Sequence, residues 1–198
     1  MEIVNVLFLM ARKKENPFLK NDIVLRQITG HNYITYEDNN NMDVSILKSK
    51  ALHISYKYLN EKIKWRLYIS VDARDVKKAK ITLVKKMIDE IHEDNEKFNI
   101  SAIWKSILMQ QGNRLTRNFL LDVDTTDKNK IQFLWDKIKE HDINILHFKS
   151  TPNGKHIITQ GFNPNLIKDF DFVEIKKNAL FFLNYVDVDA KVNMKLFS

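Results

Sequence analysis

The sequence predicts an α+β fold, a mixed or antiparallel sheet with packed helices. Three observations predict it. Several short runs alternate apolar and polar residues with the period of two that a half-buried strand requires. Three other runs, 76–93, 101–111 and 127–140, carry apolar residues at helical spacing. The second half then reads strand, helix, hairpin, an order that suits an α+β or split αβ layer better than a doubly wound parallel sheet.

Each element follows from local pattern. Residues 3–10 form an apolar first strand; an acid at Glu2 and the lack of a basic leader distinguish it from a signal peptide. The stretch 11–41 is mixed, and the polar run from Glu37 to Asp43 reads as a turn or loop. Residues 51–59 and 65–71 alternate as strands, joined at Asn60-Glu61-Lys62 in the manner of a hairpin. In the second of them Leu67, Ile69 and Val71 face one way, and Arg66, Tyr68 and Ser70 the other. From Val76 the period changes to that of a helix, with Ala79, Ile81, Leu83, Val84, Met87, Ile88 and Ile91 as its stripe and Asp72 and Asp75 ahead of it to cap the free amides. A second helix over 101–111 buries Ile103, Trp104, Ile107 and Leu108 and stops near Gly112. Next come a strand over 118–124, a helix over 127–140 burying Ile131, Leu134, Trp135 and Ile138, and strands over 143–149 and 155–160 around an Asn153-Gly154 turn. Strands over 170–175 and 179–186 complete the order. The whole, 1–198, reads as a single compact domain. Within it, 1–64 supplies N-terminal strands and loops, 65–117 a strand–helix–helix unit, and 118–186 a metal- and nucleotide-binding unit.

Composition narrows the functional classes. With no cysteine, the chain has no disulfides, thiolate chemistry or iron–sulfur site, which fits a reducing compartment. No apolar run reaches the roughly 18 residues of a membrane span, so no membrane partner is expected. The net charge of +7 favours anionic partners such as nucleic acid or nucleotides. Lysine- and asparagine-rich composition is compatible with an AT-rich bacterial or phage genome, and the expected location is the cytoplasm, the host's if phage-encoded.

The chemistry concentrates in the second half. In Phe119-Leu120-Leu121-Asp122-Val123-Asp124 the two acids stand two apart on a strand, so both carboxylates project from one face while Phe119, Leu121 and Val123 pack the other. Two carboxylates held together repel, and a divalent cation relieves the repulsion by taking their oxygens as ligands. Further on, Ser150-Thr151-Pro152-Asn153-Gly154-Lys155-His156 makes a glycine turn with a histidine at the start of the returning strand. Ser150, Thr151, Lys155 and His156 are candidate donors to phosphate oxygens. Thirty-one residues lie between Asp124 and His156, room for one helix, a neighbouring strand and the return.

Together these two segments, 119–124 and 150–158, resemble the archaeo-eukaryotic primase superfamily. Its members carry an Asp-x-Asp at the end of a hydrophobic strand, then a helix and a hairpin with serine or threonine, glycine and histidine close together. The resemblance covers mainly 118–175. It implies an RRM-like, primase-like catalytic core in which Asp122 and Asp124 hold Mg2+ or Mn2+ and His156 contacts the phosphates of a nucleotide. A third acid on a later strand completes such a site; Asp171 is the first candidate and Glu174 the second. The implied activity is metal-dependent nucleotidyl transfer on single-stranded or primed nucleic acid. Arg66, Tyr68, Arg74, Arg114 and Arg117 are candidates for its path, arginine through bidentate phosphate contacts and tyrosine through stacking. Pro152 and Asn153 intervene between the hydroxyl pair and Gly154, and the chain has no zinc-binding insertion, which leaves room for an accessory or non-catalytic relative.

Other readings meet obstacles. A two-histidine phosphoesterase needs a hydroxyl two residues after each histidine; His53-Ile54-Ser55 has it, and His156-Ile157-Ile158 does not. His141-Asp142 is half of a metal phosphohydrolase pair without the other histidines. There is neither a phosphate-binding Gly-Lys-Ser/Thr loop nor an HExxH helix. A non-catalytic nucleic-acid- or protein-binding module accounts for the charge and the mixed sheet equally well.

Overall fold

In the computed structural model, residues 3–30, 41–58, 61–92, 99–151 and 153–188 are described, apart from the side chains of 90–92. They form a mixed α+β fold with two antiparallel sheets and packed helices. The first sheet is built on β1 (Ile3–Ala11), an almost continuously apolar strand that is buried on both faces. It pairs on one side with β2 (Ile23–Gly30) and on the other with β3 (Trp65–Ser70), and the short β4 (Arg74–Asp75) extends its pairing near Ile3. β9 (Leu180–Val186) closes the far edge against β3, giving the order β2-β1-β3-β9. The second sheet holds β5 (Phe119–Val123), β6 (Ile145–Thr151), β7 (Gly154–Thr159) and β8 (Val173–Lys177) in the order β6-β7-β5-β8.

Helices cover what the sheets leave apolar. α1 (Met42–Ser55) places Val44, Leu47 and Ala51 on Leu7, Leu9, Trp65 and Leu67, and Leu120 and Ile158 of the second sheet join that same cluster. α2 (Val76–His92) and α3 (Ile100–Leu108) cover the opposite face of β1 at Val4, Val6 and Phe8. α4 (Lys128–Glu140) buries Leu134 and Ile138 on Leu121, Val123 and Ile157, the outer face of the second sheet. No described helix is long and apolar enough to cross a membrane.

Four expectations from the sequence need correction. Residues 51–55, expected as a strand, are the last turns of α1, followed by a 3-10 turn at Tyr56–Tyr58. The alternating Leu52, Ile54, Tyr56 and Tyr58 mask a second pattern, Val44, Leu47 and Ala51, which is helical, and Asn41 starts the helix by accepting from the amide of Asp43 at 2.8 Å. Of the expected polar loop, residues 37–40 lie outside the described residues, as does part of the proposed hairpin at Asn60. β2 was hidden in the mixed stretch. On α2 only the first part of the stripe is buried: Val76 and Ala79 are covered, whereas Ile81, Val84 and Ile88 are exposed. Of the two acids ahead of α2, Asp75 caps it by accepting from the amide of Lys78, and Asp72 is turned inward.

The unit expected over 118–186 also divides. β8 joins β5, but β9 crosses to the first sheet. The switch occurs at Asn178, whose φ of 53° lies in the left-handed region that asparagine tolerates. Its side chain fixes the crossing, accepting from Nη2 of Arg74 at 2.7 Å and donating to the carbonyl of Met109.

Candidate functional site

β5 is the centre of the site because it is paired on both sides. Its register sets Asp122 opposite His156 of β7 and opposite Glu174 of β8. Residues directly opposite in adjacent strands project from the same face, so histidine, aspartate and glutamate form one row across the sheet. This register depends on Gly154. A Cβ there would lie 1.8 Å from the carbonyl oxygen of Val123, so only glycine lets β7 start this close to the end of β5.

Within the row, Asp122 is engaged at both oxygens. Oδ1 is 3.1 Å from Nε2 of His156, and Oδ2 accepts from Nζ of Lys176 at 2.5 Å. The same ammonium reaches Oε2 of Glu174 at 2.9 Å. Burial pulls the Lys176 pKa down, but its hydrogen bonds to Asp122 and Glu174 outweigh that and leave it above the ordinary lysine value. His156 shifts the other way. Burial lowers its pKa, the carboxylate of Asp122 opposes this, and the charge of Lys176 reinforces it. Although His156 sits beside a carboxylate, burial foremost and the Lys176 charge with it outweigh that attraction, so its pKa lies below the ordinary histidine value. Its Nδ1 is buried without a hydrogen-bond partner. Asp124, two residues on, is exposed at the mouth of the same face.

The row faces a cleft of about 710 Å³ where the two sheets meet. Met10, Arg12, Arg66 and Tyr68 of the first sheet and its margin form the opposing wall, with Phe182 and Tyr185 of β9 beside them. Arg66 is anchored by Glu15, and its guanidinium lies 5.3 Å from the ring of Tyr185 and 5.9 Å from that of Phe182. One wall thus carries carboxylates and a histidine; the other carries arginines and aromatic rings.

The structure brings together only some of the residues singled out from the sequence. Asp122, Asp124, His156, Arg66 and Tyr68 share the cleft, and Thr151 lies at its edge. Ser150 and Lys155 do not join them. By strand alternation they line a separate depression on the α4 side with Thr125, Thr126 and Lys128, and Lys155 Nζ lies 3.3 Å from Ser150 Oγ. Asp171 is in the exposed turn before β8, outside the cleft lining, and Glu174 takes the position beside Asp122. Arg74 is fully buried and bonded to Asn178, so it is part of the framework and offers nothing to a nucleic acid. Arg114 and Arg117 line another depression with Phe162 and Lys177. There Arg114 Nη1 is held 3.3 Å from Oδ2 of the buried Asp72.

Lys176, Arg12 and Tyr185 were not singled out for the site. A signal for the first was present: in Val173-Glu174-Ile175-Lys176 the apolar residues alternate with the charged ones, which assigns Glu174 and Lys176 to one face. Among the described residues no group of three or more histidines, aspartates or glutamates is arranged to hold a metal ion as the side chains stand. Compared with known proteins, the chain matches no protein-family model, no curated protein and no solved structure.

Proposed function

We propose that the protein is a metal-dependent nucleotidyltransferase of the primase–polymerase type, binding a nucleotide and single-stranded or primed nucleic acid in the cleft between its sheets. The observation that carries this reading is the row His156–Asp122–Glu174 on the cleft-facing side of β5 and its neighbours. The second sheet adds support. Its chain order, strand–helix–strand–strand–strand with β5 and β7 central and β6 and β8 at the edges, resembles that of an RRM-like core with the 3-10 turn Pro164–Ile167 in place of the second helix.

The donor set suits Mg2+ or Mn2+, which take hard carboxylate oxygens. Asp122 and Glu174 already converge on one cation, the Lys176 ammonium, and Asp124 stands on the same face. A bound divalent ion would supply Lewis-acid stabilisation of the charge that develops on the transferring phosphoryl group. The protein's own groups would do the rest: Asp122, Asp124 and Glu174 would hold the ion, and His156 would face the phosphates. Arg12 and Lys177 bind backbone phosphates, and the ring of Tyr185 offers a base a stacking face.

Incorporation of labelled nucleotides on primed and unprimed DNA and RNA, with Mg2+ or Mn2+, tests this. Wild type is expected to incorporate, and Asp122→Asn combined with Glu174→Gln to lose at least a hundredfold. Wild type that binds neither Mn2+ nor nucleotide would overturn the reading. One observation favours a second reading, a non-catalytic binding module on the same core: Lys176 satisfies the two carboxylates without any metal. That alternative requires strand binding to persist in EDTA and in the double variant.

A further inference from the structure

A second opening, of about 720 Å³, lies between α2 and α3 and shares no lining residue with the cleft. It is an open groove. Val4 and Ile28 of the first sheet form its floor, Val76 and Leu83 of α2 one side, and Ile100 and Trp104 of α3 the other. Apolar surface continues from it along α2. Lys80 at the groove, then Val84 and Ile88, follow one another four residues apart on a single helical ridge. Val84 is 56% exposed and Ile88 50%, and Ile100 across the groove is 48% exposed. From Val76 to Ile88 the helix rises about 18 Å. Large aliphatic side chains exposed in a continuous line, and not singly, mark a surface that a partner covers.

The charge beside this groove is cationic. Lys80 lines it, and Lys77 and Lys85 are exposed on the turns before and after; the acid Asp89 comes only at the end of the ridge. On α3, Lys105 follows Trp104. Burial pushes its ammonium below the ordinary lysine value, and the like charges of Lys50 and Arg26 push it further. Arg26 stands two residues from Ile28 on the same face of β2, 5.6 Å from the ring of Phe8, and its Nε is buried without a hydrogen-bond partner. Cations gathered beside aliphatic surface are complementary to an anionic and apolar partner. Each described helix of this chain carries more lysines than acids, so a helix from a second copy would set like charge on like. A nucleic-acid strand stacks on aromatic rings, and the groove offers only the half-buried Trp104. We propose that the α2–α3 groove docks an acidic amphipathic helix of a partner protein. Its apolar residues, spaced i, i+3 or i+4, and i+7, fill the groove and cover Val84 and Ile88, and its carboxylates face Lys80, Lys105 and Arg26. This docking is independent of the chemistry proposed for the cleft.

Fluorescence anisotropy of the full chain with a labelled synthetic helix of about five turns tests the proposal. The probe carries leucine at the apolar spacing and glutamate on its remaining faces; a control peptide has lysine in place of every glutamate. Wild type is expected to bind the acidic peptide at least about tenfold more tightly than the basic one. Two double variants locate the contact, and circular dichroism checks that both fold. Ile88→Glu with Ile100→Glu changes exposed positions only and is expected to weaken the acidic peptide about tenfold or more. Lys80→Glu with Lys105→Glu is expected to reverse the preference between the two peptides. An acidic peptide that does not bind, or that binds wild type and both folded variants alike, would overturn the proposal. Phosphatidylglycerol vesicles that bind wild type and neither variant, while the peptide stays free, would overturn it in favour of a membrane surface.

Discussion

At the scale of single residues, burial and two charged neighbours set the direction in which the His156 pKa moves. Burial lowers its pKa, and Asp122 cannot restore it because Lys176 shares that carboxylate. The consequence for stability has a definite sign. A histidine in the unfolded chain titrates at about 6.5, while in the folded protein it titrates lower. Between those values the unfolded state binds more protons, so stability rises with pH and is lost as pH falls below about 6.5. Urea unfolding at pH 7.5 and pH 5.5 is expected to show a larger loss for wild type than for His156→Gln. An equal loss in the two proteins would mean that folding does not lower the His156 pKa. Asp72 is the second telling residue. It is fully buried, accepting from the amide of Asn118 at 2.8 Å and from Thr116 Oγ1 and pairing with Arg114. Asp72→Ala strands the Arg114 charge and the Asn118 amide, and the expected cost in urea is about 3–5 kcal/mol.

At the scale of elements, the hairpin of β6 and β7 decides whether the site exists. Its register against β5 puts His156 across from Asp122, and a shift of one residue would turn His156 to the α4 side and bring Lys155 into the cleft. Gly154 sets the close approach that this register needs, with the carbonyl of Val123 where a Cβ would be. Gly154→Ala is therefore expected to destabilise the protein by about 1–3 kcal/mol through overpacking. In a chain of this size that is a drop of roughly 2–4 °C in Tm per kcal/mol, readable by calorimetry. An unchanged Tm would show that β7 can move away at no cost. The same alternation explains why the hydroxyl and lysine of this hairpin separate from its histidine. Ser150 and Lys155 pair with each other across the two strands and share the α4 face.

At the scale of the whole molecule, the cleft is made by the meeting of two sheets and belongs to neither alone. β9 leaves the second sheet's neighbourhood at Asn178 and completes the first, carrying Phe182 and Tyr185 to the cleft wall. Leu120 and Ile158 of the second sheet enter the core of the first, so the two walls are packed as one body. With a net charge of +7, the molecule attracts polyanions, and the exposed Arg12 and Lys177 place part of that charge at the cleft. Replacing both by glutamate is expected to weaken binding of a labelled single strand about tenfold at low salt, with a shallower salt dependence. Fluorescence anisotropy measures it, and undiminished binding would move the strand away from this cleft.

Local pattern by itself determined the period of most elements, the shared face of Asp122 and Asp124, and the Asn153-Gly154 reversal that leads into β7 and its His156. These properties are set within a few residues of chain, where spacing and turn chemistry act directly. It could not tell that Glu174, and not Asp171, stands across from Asp122, because that follows from strand register. Nor could it tell that Arg74 is buried, or that residues 51–55 are helical, since both follow from contacts with distant segments. Only the tertiary structure placed Lys176 between the two carboxylates and set Arg66, Tyr68 and Tyr185 against them. Those relations join residues far apart in the chain, and they are fixed by strand register and by the packing of one sheet on the other, for which a linear pattern carries no signal.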